Sequence, residues 1–250
     1  MKLYRYLKLN ENWKKWLPDI LLNNKWKFTN PLSQNDPFDC KLKVDFLNGT
    51  DFEFIDYLKM NAGKNTRNDA EFLHSLRYKN SFLMDSILDD DPHFFLSFSK
   101  SPDNLLMWAH YADSHKGIVL GIEIDDPDNN KVHPIQYVED FIGIKQLNEM
   151  QTAVDQTGNS KALVEHVLTE KSMDWAYEQE YRIISREKED VYPDIHVSQI
   201  IYGHKFGEKE KVWIKNLIQQ HSLKIEQKKV ELNRRRFKLD VVPDNEEAKK

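Results

Sequence analysis

One stretch decides how the rest of the chain is interpreted: Asp174-Trp-Ala-Tyr-Glu-Gln-Glu-Tyr-Arg-Ile-Ile-Ser185. Its aromatic and β-branched residues, with no Gly or Pro among them, predict a strand. Because alternate side chains of a strand share a face, Glu178, Glu180 and Arg182 are expected to point the same way. Two carboxylates about 7 Å apart repel each other unless a positive group lies beside them. Arg182 supplies part of that charge and a cationic ligand would supply more. The alternative is a solvent-facing strand with an ordinary Glu–Arg pair.

Composition limits the classes of protein that the chain can belong to. Its 250 residues are 40% hydrophobic and 12% aromatic, which is typical of a globular protein with a substantial core. The net charge of -5 does not predict attraction of the whole molecule to nucleic acid. A single cysteine, Cys40, excludes an intramolecular disulfide and a Cys-based zinc site, and we expect no metal. With no long apolar run and no signal-peptide pattern, we expect a cytoplasmic protein without a membrane segment.

A further strand is predicted at residues 2–7. Leu3, Arg5 and Leu7 fall on one face of it. An arginine between apolar residues either extends its charge to the surface along the edge of the sheet or binds a ligand. This segment by itself leaves both interpretations open.

Residues 93–100 predict another strand, followed by the start of a helix. Ser97 and Ser99 are two residues apart, so their hydroxyls share one face of the strand. The segment Ser101-Pro-Asp-Asn104 then predicts a helix start, with Ser101 as N-cap and Pro102 in the first turn.

The helix predicted at 105–112 carries three aromatic or titratable side chains of interest. Helical spacing places Met107, His110 and Tyr111 near one another. For His110 the alternatives are an ordinary hydrogen-bonded histidine and a ligand-binding one, and Trp108 is expected to lie in the core.

The remaining pattern predicts an α+β protein folded as a single domain over 1–243, with a disordered charged tail at 244–250. Further strands are predicted at 26–28, 117–124, 135–138, 197–203, 223–230 and 237–242, and helices at 10–24, 165–171 and 209–220, with helical character over 51–90. Pro18 is expected to interrupt the first helix.

The C-terminal part of the chain is locally basic. Between Lys205 and Lys238 there are eleven Lys and Arg residues against four Glu, including Arg234, Arg235 and Arg236. Such a run is either a solvated face or a surface that binds a polyanion, nucleic acid among them.

Five segments in order resemble the DUF2971 family of uncharacterised bacterial proteins, over roughly residues 3–203. They are Leu3-Tyr-Arg-Tyr6, Asn35-Asp-Pro-Phe-Asp39, Phe95-Leu-Ser-Phe-Ser99, Met107-Trp-Ala-His-Tyr-Ala112 with Gly117 onward, and Trp175-Ala-Tyr-Glu-Gln-Glu-Tyr-Arg182. That family looks like a remote branch of the ADP-ribosyltransferase fold. The resemblance implies a mixed or antiparallel split β-sheet core with flanking helices.

In the Arg–Ser–Glu group of that fold, an Arg, a Ser-x-Ser and a Glu-x-Glu lie on three successive motif strands. Arg5, Ser97-Phe-Ser99 and Glu178-Gln-Glu180 fall in the same order. The middle motif lacks the usual Thr, and no adenine-binding loop is recognisable. By this resemblance, Arg5, Glu180 and one of the two serines should converge on a single cleft.

The resemblance also implies roles, with NAD as substrate. Glu180 would hold a ribose hydroxyl and stabilise an oxocarbenium-like transition state, while Glu178 would orient or deprotonate an acceptor. Arg5 would bind a phosphate or the ribose edge of NAD.

The remaining implied cofactor-binding residues surround the nicotinamide ribose. Ser97 or Ser99 would support Glu180 or this ribose. Tyr111 or Trp108 would stack on nicotinamide, with His110 beside them.

Three functions therefore compete at this point. The first is an ADP-ribosyltransferase, such as a toxin or anti-phage effector, whose partners would be a macromolecular acceptor and an antitoxin. The second is a two-carboxylate hydrolase of a glycosidic or N-glycosidic bond, such as an NAD glycohydrolase. The third is a non-catalytic binding or regulatory module. The sequence does not identify the acceptor.

Overall fold

A computed structural model describes residues 1–41, 44–45, 50, 53, 93–128, 132–157, 161–192 and 194–244. It is a mixed α+β structure, as predicted, with a large mixed sheet and several helices. The helical character predicted for 51–90 lies outside the described residues except at Glu53, as does the predicted tail beyond Asp244. The chain divides into two compact units. The first consists of Met1–Thr29, Phe94–Ile135 and Asp174–Lys250, and the second of Asn30–His93 and Gln136–Met173. The predicted single domain over 1–243 stays a prediction.

The described elements alternate along the chain. The strands are β1 Lys2–Leu7, β2 Lys25–Lys27, β3 Val44–Asp45, β4 Phe94–Ser99, β5 Ile118–Ile124, β6 Val132–Pro134, β7 Gln136–Val138, β8 Ile142–Gly143, β9 Glu170–Ser172, β10 Glu180–Ser185, β11 Glu189–Val191, β12 Ile195–Tyr202, β13 Glu226–Leu232 and β14 Leu239–Pro243. The α-helices are α1 Trp13–Asn23, α2 Leu105–His110, α3 Ile144–Thr157, α4 Lys161–Thr169 and α5 Glu208–Gln220, and Pro31–Ser33 and Met173–Glu178 form 3-10 turns.

Eight of the described strands form the sheet of the first unit, in the order β14-β13-β12-β5-β1-β4-β10-β6. Neighbours are antiparallel except β12 and β13, which are parallel and are joined through α5. Strand β5 lies well inside this sheet, which explains its nearly continuous run of apolar residues. The strands β1, β4 and β10, which carry Arg5, the two serines and Glu180, are neighbours.

The two faces of this sheet bury different clusters. On one face, Leu3 and Leu96 pack with Leu17 of α1 and Ile214 of α5. The other face buries a smaller cluster, which we call the aromatic cluster: Tyr6, Met107, Trp108, Ala112, Val119, Ile201, Val230 and Leu239, with Tyr4, Tyr111, Tyr177 and Val241 partly buried against it. The alternation of residues predicted for β1 and β4 is confirmed by this division.

Several predicted boundaries shift. Helix α1 begins at Trp13 and continues through Pro18 instead of being interrupted there. A proline removes one hydrogen bond to the carbonyl four residues earlier, that of Lys14, which is exposed and can be hydrated. The strand predicted at 135–138 is present as β7, which begins one residue later, and a short strand that was not predicted, β6, precedes it. The helix predicted at 165–171 ends at Thr169, before β9.

The second unit contains two parallel strand pairs, β3 with β8 and β7 with β9, together with α3 and α4. Its loop at residues 35–39 is fixed by an ion pair between Lys171 Nζ and Asp39 Oδ2 at 3.5 Å, with both side chains almost fully buried. In the ranges that the structure describes, each helix is too short or too polar to span a lipid bilayer.

Gly117, just before β5, provides a test of how closely the first unit is packed. A Cβ added there would lie 2.2 Å from the main-chain oxygen of Leu7, which cannot move without disturbing β1. Gly117→Ala is therefore expected to lower the free energy of unfolding by about 1–3 kcal/mol, measured by urea denaturation. Gly143→Ala is the control, because its Cβ would meet no atom within 4 Å. Equal stability of the two variants would contradict the packing described here.

Candidate functional site

The strand predicted from the Glu-x-Glu stretch is present only in its second half. Residues Met173–Glu178 form a 3-10 turn, Gln179 has a left-handed φ of 46°, and β10 begins at Glu180. The prediction that Glu178 and Glu180 lie on one pleated face is therefore wrong. Glu178 lies at the end of the turn, while Glu180 and Arg182 do share a face of β10.

The turn forms because three successive carbonyls accept hydrogen bonds from a distant segment. Asn104 Nδ2 donates to Tyr177 O at 2.9 Å, Ser99 Oγ to Glu178 O at 2.6 Å, and Lys100 N to Gln179 O at 3.1 Å. These bonds offset the cost of about 1–2 kcal/mol of a left-handed residue other than glycine. They fix the main chain on both sides of Glu178.

Asn104 was not among the predicted site residues, although it has two roles. It is the N-cap of α2, since its Oδ1 accepts from Leu106 N at 2.9 Å and Met107 N at 3.1 Å. The prediction of Ser101 as N-cap is wrong. Asn directly before the helix is itself a strong capping signal, and the Nδ2 that remains is the group that holds Tyr177.

Glu178 is buried, at 3% exposure, and is bound by Tyr111. The Tyr111 hydroxyl donates to Glu178 Oε1 at 2.6 Å. Tyr111 is the residue that ends α2. Helix α2 therefore joins Asn104, which caps its start, to Tyr111, which follows its last residue and binds the Glu178 carboxylate.

Glu180 is buried as well, and it forms a two-point ion pair with Arg182. Arg182 Nε donates to Glu180 Oε1 at 2.7 Å and Nη2 to Oε2 at 3.1 Å. The Arg182 side chain is fully buried, with its guanidinium carbon 4.2 Å from the centre of the Phe95 ring. The sequence-based suggestion that Arg182 supplies charge to these carboxylates is confirmed for Glu180.

Arg5 is held on the main chain of β4 and not at a sheet edge. Its Nη1 donates to Ser97 O at 2.7 Å. Between the fully described strands β1 and β4, the register consists of the pair Tyr4 and Ser99, so Arg5 lies where the two strands are weakly joined. Burial lowers the pKa of Arg5 to about 10, and the Glu180 carboxylate acts in the opposite direction. Arg5 is therefore cationic at neutral pH and within the electrostatic reach of Glu180.

Register brings the serine strand against both others. Ser99 pairs with Tyr4 on one side and with Glu180 on the other, and Ser97 pairs with Arg182. Ser99 is buried and Ser97 is partly buried. The serines therefore lie between the Arg5 strand and the Glu180 strand, with Ser99 Oγ already bonded to Glu178 O.

The other predicted ligand residues of α2 are placed differently from one another. Trp108 is fully buried in the aromatic cluster, with Nε1 donating to Pro102 O at 2.8 Å and its ring 5.5 Å from that of Tyr6. It has no face left for stacking on nicotinamide, which makes it a core residue. His110 is exposed, with its ring 6.3 Å from that of Tyr111.

The three arginines lie away from the carboxylates in sequence, in the turn between β13 and β14, and all are exposed. A cavity of about 420 Å³ lies beside this turn, and Arg234 is one of its lining residues. None of the predicted catalytic residues lines this cavity. Among the described residues, no group of three His, Cys, Asp or Glu side chains is placed to hold a metal ion.

Comparison with protein families gives one match. Residues 107–183 match the family described as "Protein of unknown function (DUF2971)", which supports the assignment to that family. This range contains Tyr111, Glu178, Glu180 and Arg182, whereas Arg5 and the two serines lie outside it. No curated protein and no solved structure matches the chain.

Proposed function

We propose that the protein is an NAD-dependent ADP-ribosyltransferase that uses Arg5, Tyr111, Glu178 and Glu180. One observation carries the proposal: two buried carboxylates on either side of Gln179 are held by different partners, and the partly buried Arg5 lies on a strand two places away in the sheet. The order of the strands β1, β4 and β10 supports it further, since the Arg, Ser-x-Ser and Glu-x-Glu motifs become neighbours.

Glu180 is suited to the first half of the reaction. Nicotinamide leaves ribose C1′ with the electron pair of the C–N bond, so positive charge develops on the sugar and a nearby carboxylate stabilises it. A carboxylate has about four lone-pair sites, and Arg182 occupies two of them. In the proposed reaction the Glu180 carboxylate would also accept a hydrogen bond from a ribose hydroxyl. The rigid pairing with Arg182 fixes the orientation of the carboxylate before substrate binds.

Glu178 is suited to the second half, in which an acceptor attacks C1′ and loses a proton. Tyr111 holds Glu178 Oε1, and the Glu178 carboxylate would take the proton from the acceptor. The fixed turn around Glu178 keeps this carboxylate in place. The general base and the residue that stabilises the cation would then be different side chains with different supports.

Arg5 would bind NAD through the donors that Ser97 leaves available. A guanidinium has five N–H donors in a planar fork, and Nη1 is held by Ser97 O. The remaining donors would bind the diphosphate or a ribose oxygen. Glu180 acts on the pKa of Arg5, but Arg5 follows the Leu3 face of β1 while Glu180 is in register with Ser99 and Tyr4 on the other face, so the convergence of Arg5 and Glu180 on one cleft stays a prediction.

A non-catalytic module remains the second candidate, and one observation favours it. The Glu180–Arg182 pair is internal and buried, as in an ion pair that only supports the fold. An NAD glycohydrolase would share the first half of the reaction with the transferase and would use water as acceptor.

Purified protein, incubated with NAD labelled separately in the nicotinamide and in the adenylate, tests the proposal. With cell lysate present, we expect release of nicotinamide and transfer of adenylate label to macromolecules. Arg5→Leu is expected to weaken NAD binding by at least about tenfold, since a charged hydrogen bond is lost. Glu187→Gln, at an exposed position just after β10, is the control and should behave like the parent. Release without transfer would establish a glycohydrolase, and the absence of any release would overturn the enzyme proposal.

A further inference from the structure

A well-formed turn presents the three arginines. We call residues 233–238, between β13 and β14, the hairpin tip. Asn233 Oδ1 accepts from Arg235 N and Arg236 N, each at 2.9 Å, and Asn233 Nδ2 donates to Asp240 Oδ2 at 2.8 Å. Asn233 N also donates to Lys238 O at 3.0 Å. The main chain of the tip is thus fixed by one asparagine, and the side chains extend from a defined platform.

The arginines of the tip differ from the lysines near it in how their charges are compensated. Lys238 pairs with Asp103 at 3.6 Å, Lys229 with Glu231 at 2.8 Å and Lys211 with Asp244 at 2.6 Å. Among the described residues, the side chains of Arg234, Arg235 and Arg236 form no such ion pair. The tip therefore carries positive charge that is available to a ligand.

Phe237 lies in the same turn and is fully exposed, at 104%. A single exposed apolar residue is common on protein surfaces. Here, however, the ring follows three arginines and precedes a lysine in a fixed turn, and it packs on none of the buried clusters. Aromatic rings among basic side chains are the usual platform on which unpaired bases stack.

The cavity beside the tip is lined by charges of both signs, and Arg234 is the tip residue among them. Its volume of about 420 Å³ falls in the range of small-molecule sites. Arg234, Lys211, Lys229 and His204 line it, together with Glu208 and Glu231. Arg234 thus belongs both to the tip and to a concave site that can hold a phosphate or a sugar.

A chain of contacts connects the tip to the candidate site. Lys238 pairs with Asp103, which accepts from Ser101 Oγ at 2.5 Å. Ser101 N donates to Ser99 Oγ, and that hydroxyl holds Glu178 O. The hairpin also packs on the aromatic cluster that contains Tyr111.

We infer that the hairpin tip and the adjoining cavity bind single-stranded nucleic acid, with the arginines on phosphates and Phe237 on a base. Arginine is suited to phosphate because its planar fork matches two oxygens. A single strand fits better than a duplex, whose paired bases offer no face to Phe237. An anionic membrane surface is less suitable as a ligand, because the adjoining cavity is concave and carries charges of both signs, and neither property favours contact with a flat anionic bilayer. Binding does not depend on the proposed transferase activity, although the two together would make nucleic acid an acceptor.

Fluorescence anisotropy with labelled single-stranded RNA and DNA, without NAD and over a salt titration, tests the inference. R234S/R235S/R236S should weaken binding and reduce the slope of log K against log salt by about 2, since three phosphate contacts are lost. Phe237→Ser should weaken binding by about tenfold and leave the slope unchanged. K8S/K15S/K145S removes the same charge at exposed lysines outside the basic run and should bind like the parent.

Four results would overturn the inference. They are no binding by the parent, equal binding by the parent and the arginine variant, equal loss in the lysine control, and binding of phosphatidylserine vesicles in place of oligonucleotides. Because NAD is absent, each is read independently of whether the transferase proposal holds.

Discussion

Arg182→Met is expected to lower the free energy of unfolding by about 3–5 kcal/mol, because it leaves the Glu180 carboxylate buried without its partner. Arg182 is fully buried and Glu180 is 6% exposed, so water cannot replace the lost hydrogen bonds at either oxygen. Methionine preserves much of the volume of the arginine stem and its contact with Phe95. Arg5, whose pKa already responds to Glu180, provides partial compensation from β1. Urea denaturation monitored by tryptophan fluorescence measures the loss.

Two further variants show whether the loss arises from an unpaired buried charge. E180L/R182M replaces the whole pair by apolar side chains and is expected to regain most of the stability. Lys25→Met breaks an ion pair with Glu189 that is about half exposed at each end, and it should leave stability nearly unchanged. If the double variant were as unstable as Arg182→Met, packing rather than charge would explain the effect.

The sequence predicted the strands of the site because the alternation of side chains along a strand is visible in the sequence. Alternation identified β1 and β4 to within a residue and separated the two serines from Leu96 and Phe98. The pairing of Glu180 with Arg182 followed from the same rule, since residues i and i+2 of a strand share a face. Periodicity does not determine which strands become neighbours in the sheet. That is set by the whole sheet, in which β4 lies between two strands from opposite ends of the chain.

The position of Glu178 was not predictable from its own neighbours. Locally, the aromatic residues on both sides favour a continuous strand. The turn is instead set by Ser99, Lys100 and Asn104, which are more than 70 residues earlier in the chain. In the same way, Trp108 lies in the core as expected, but helical spacing did not indicate that Tyr111 would bind a carboxylate. Tertiary contacts decide both.

Glu180→Gln is expected to lower the rates of both nicotinamide release and ADP-ribose transfer by about 10²- to 10⁴-fold, while Glu178→Gln should impair transfer and largely retain release. The difference follows from their supports. Glutamine at 180 keeps the shape of the side chain and loses the charge that stabilises the cation on the sugar. Glutamine at 178 still accepts the hydrogen bond of Tyr111 through its amide oxygen, so the site keeps its shape but has no base.

Stability must be separated from chemistry in this comparison, because Glu180→Gln also removes the charged partner of the buried Arg182. E180Q/R182M removes that charge, so it is expected to recover stability and to remain inactive in nicotinamide release. Recovery of both would mean that Glu180 acts only by supporting the fold, as in the non-catalytic alternative.

For Glu178, Tyr111→Phe provides the complementary variant, since it keeps the carboxylate and removes the bond that orients it. We expect it to slow transfer by less than Glu178→Gln does. Equal loss of release and transfer in the Glu178 and Glu180 variants would contradict the assignment of separate roles to the two carboxylates.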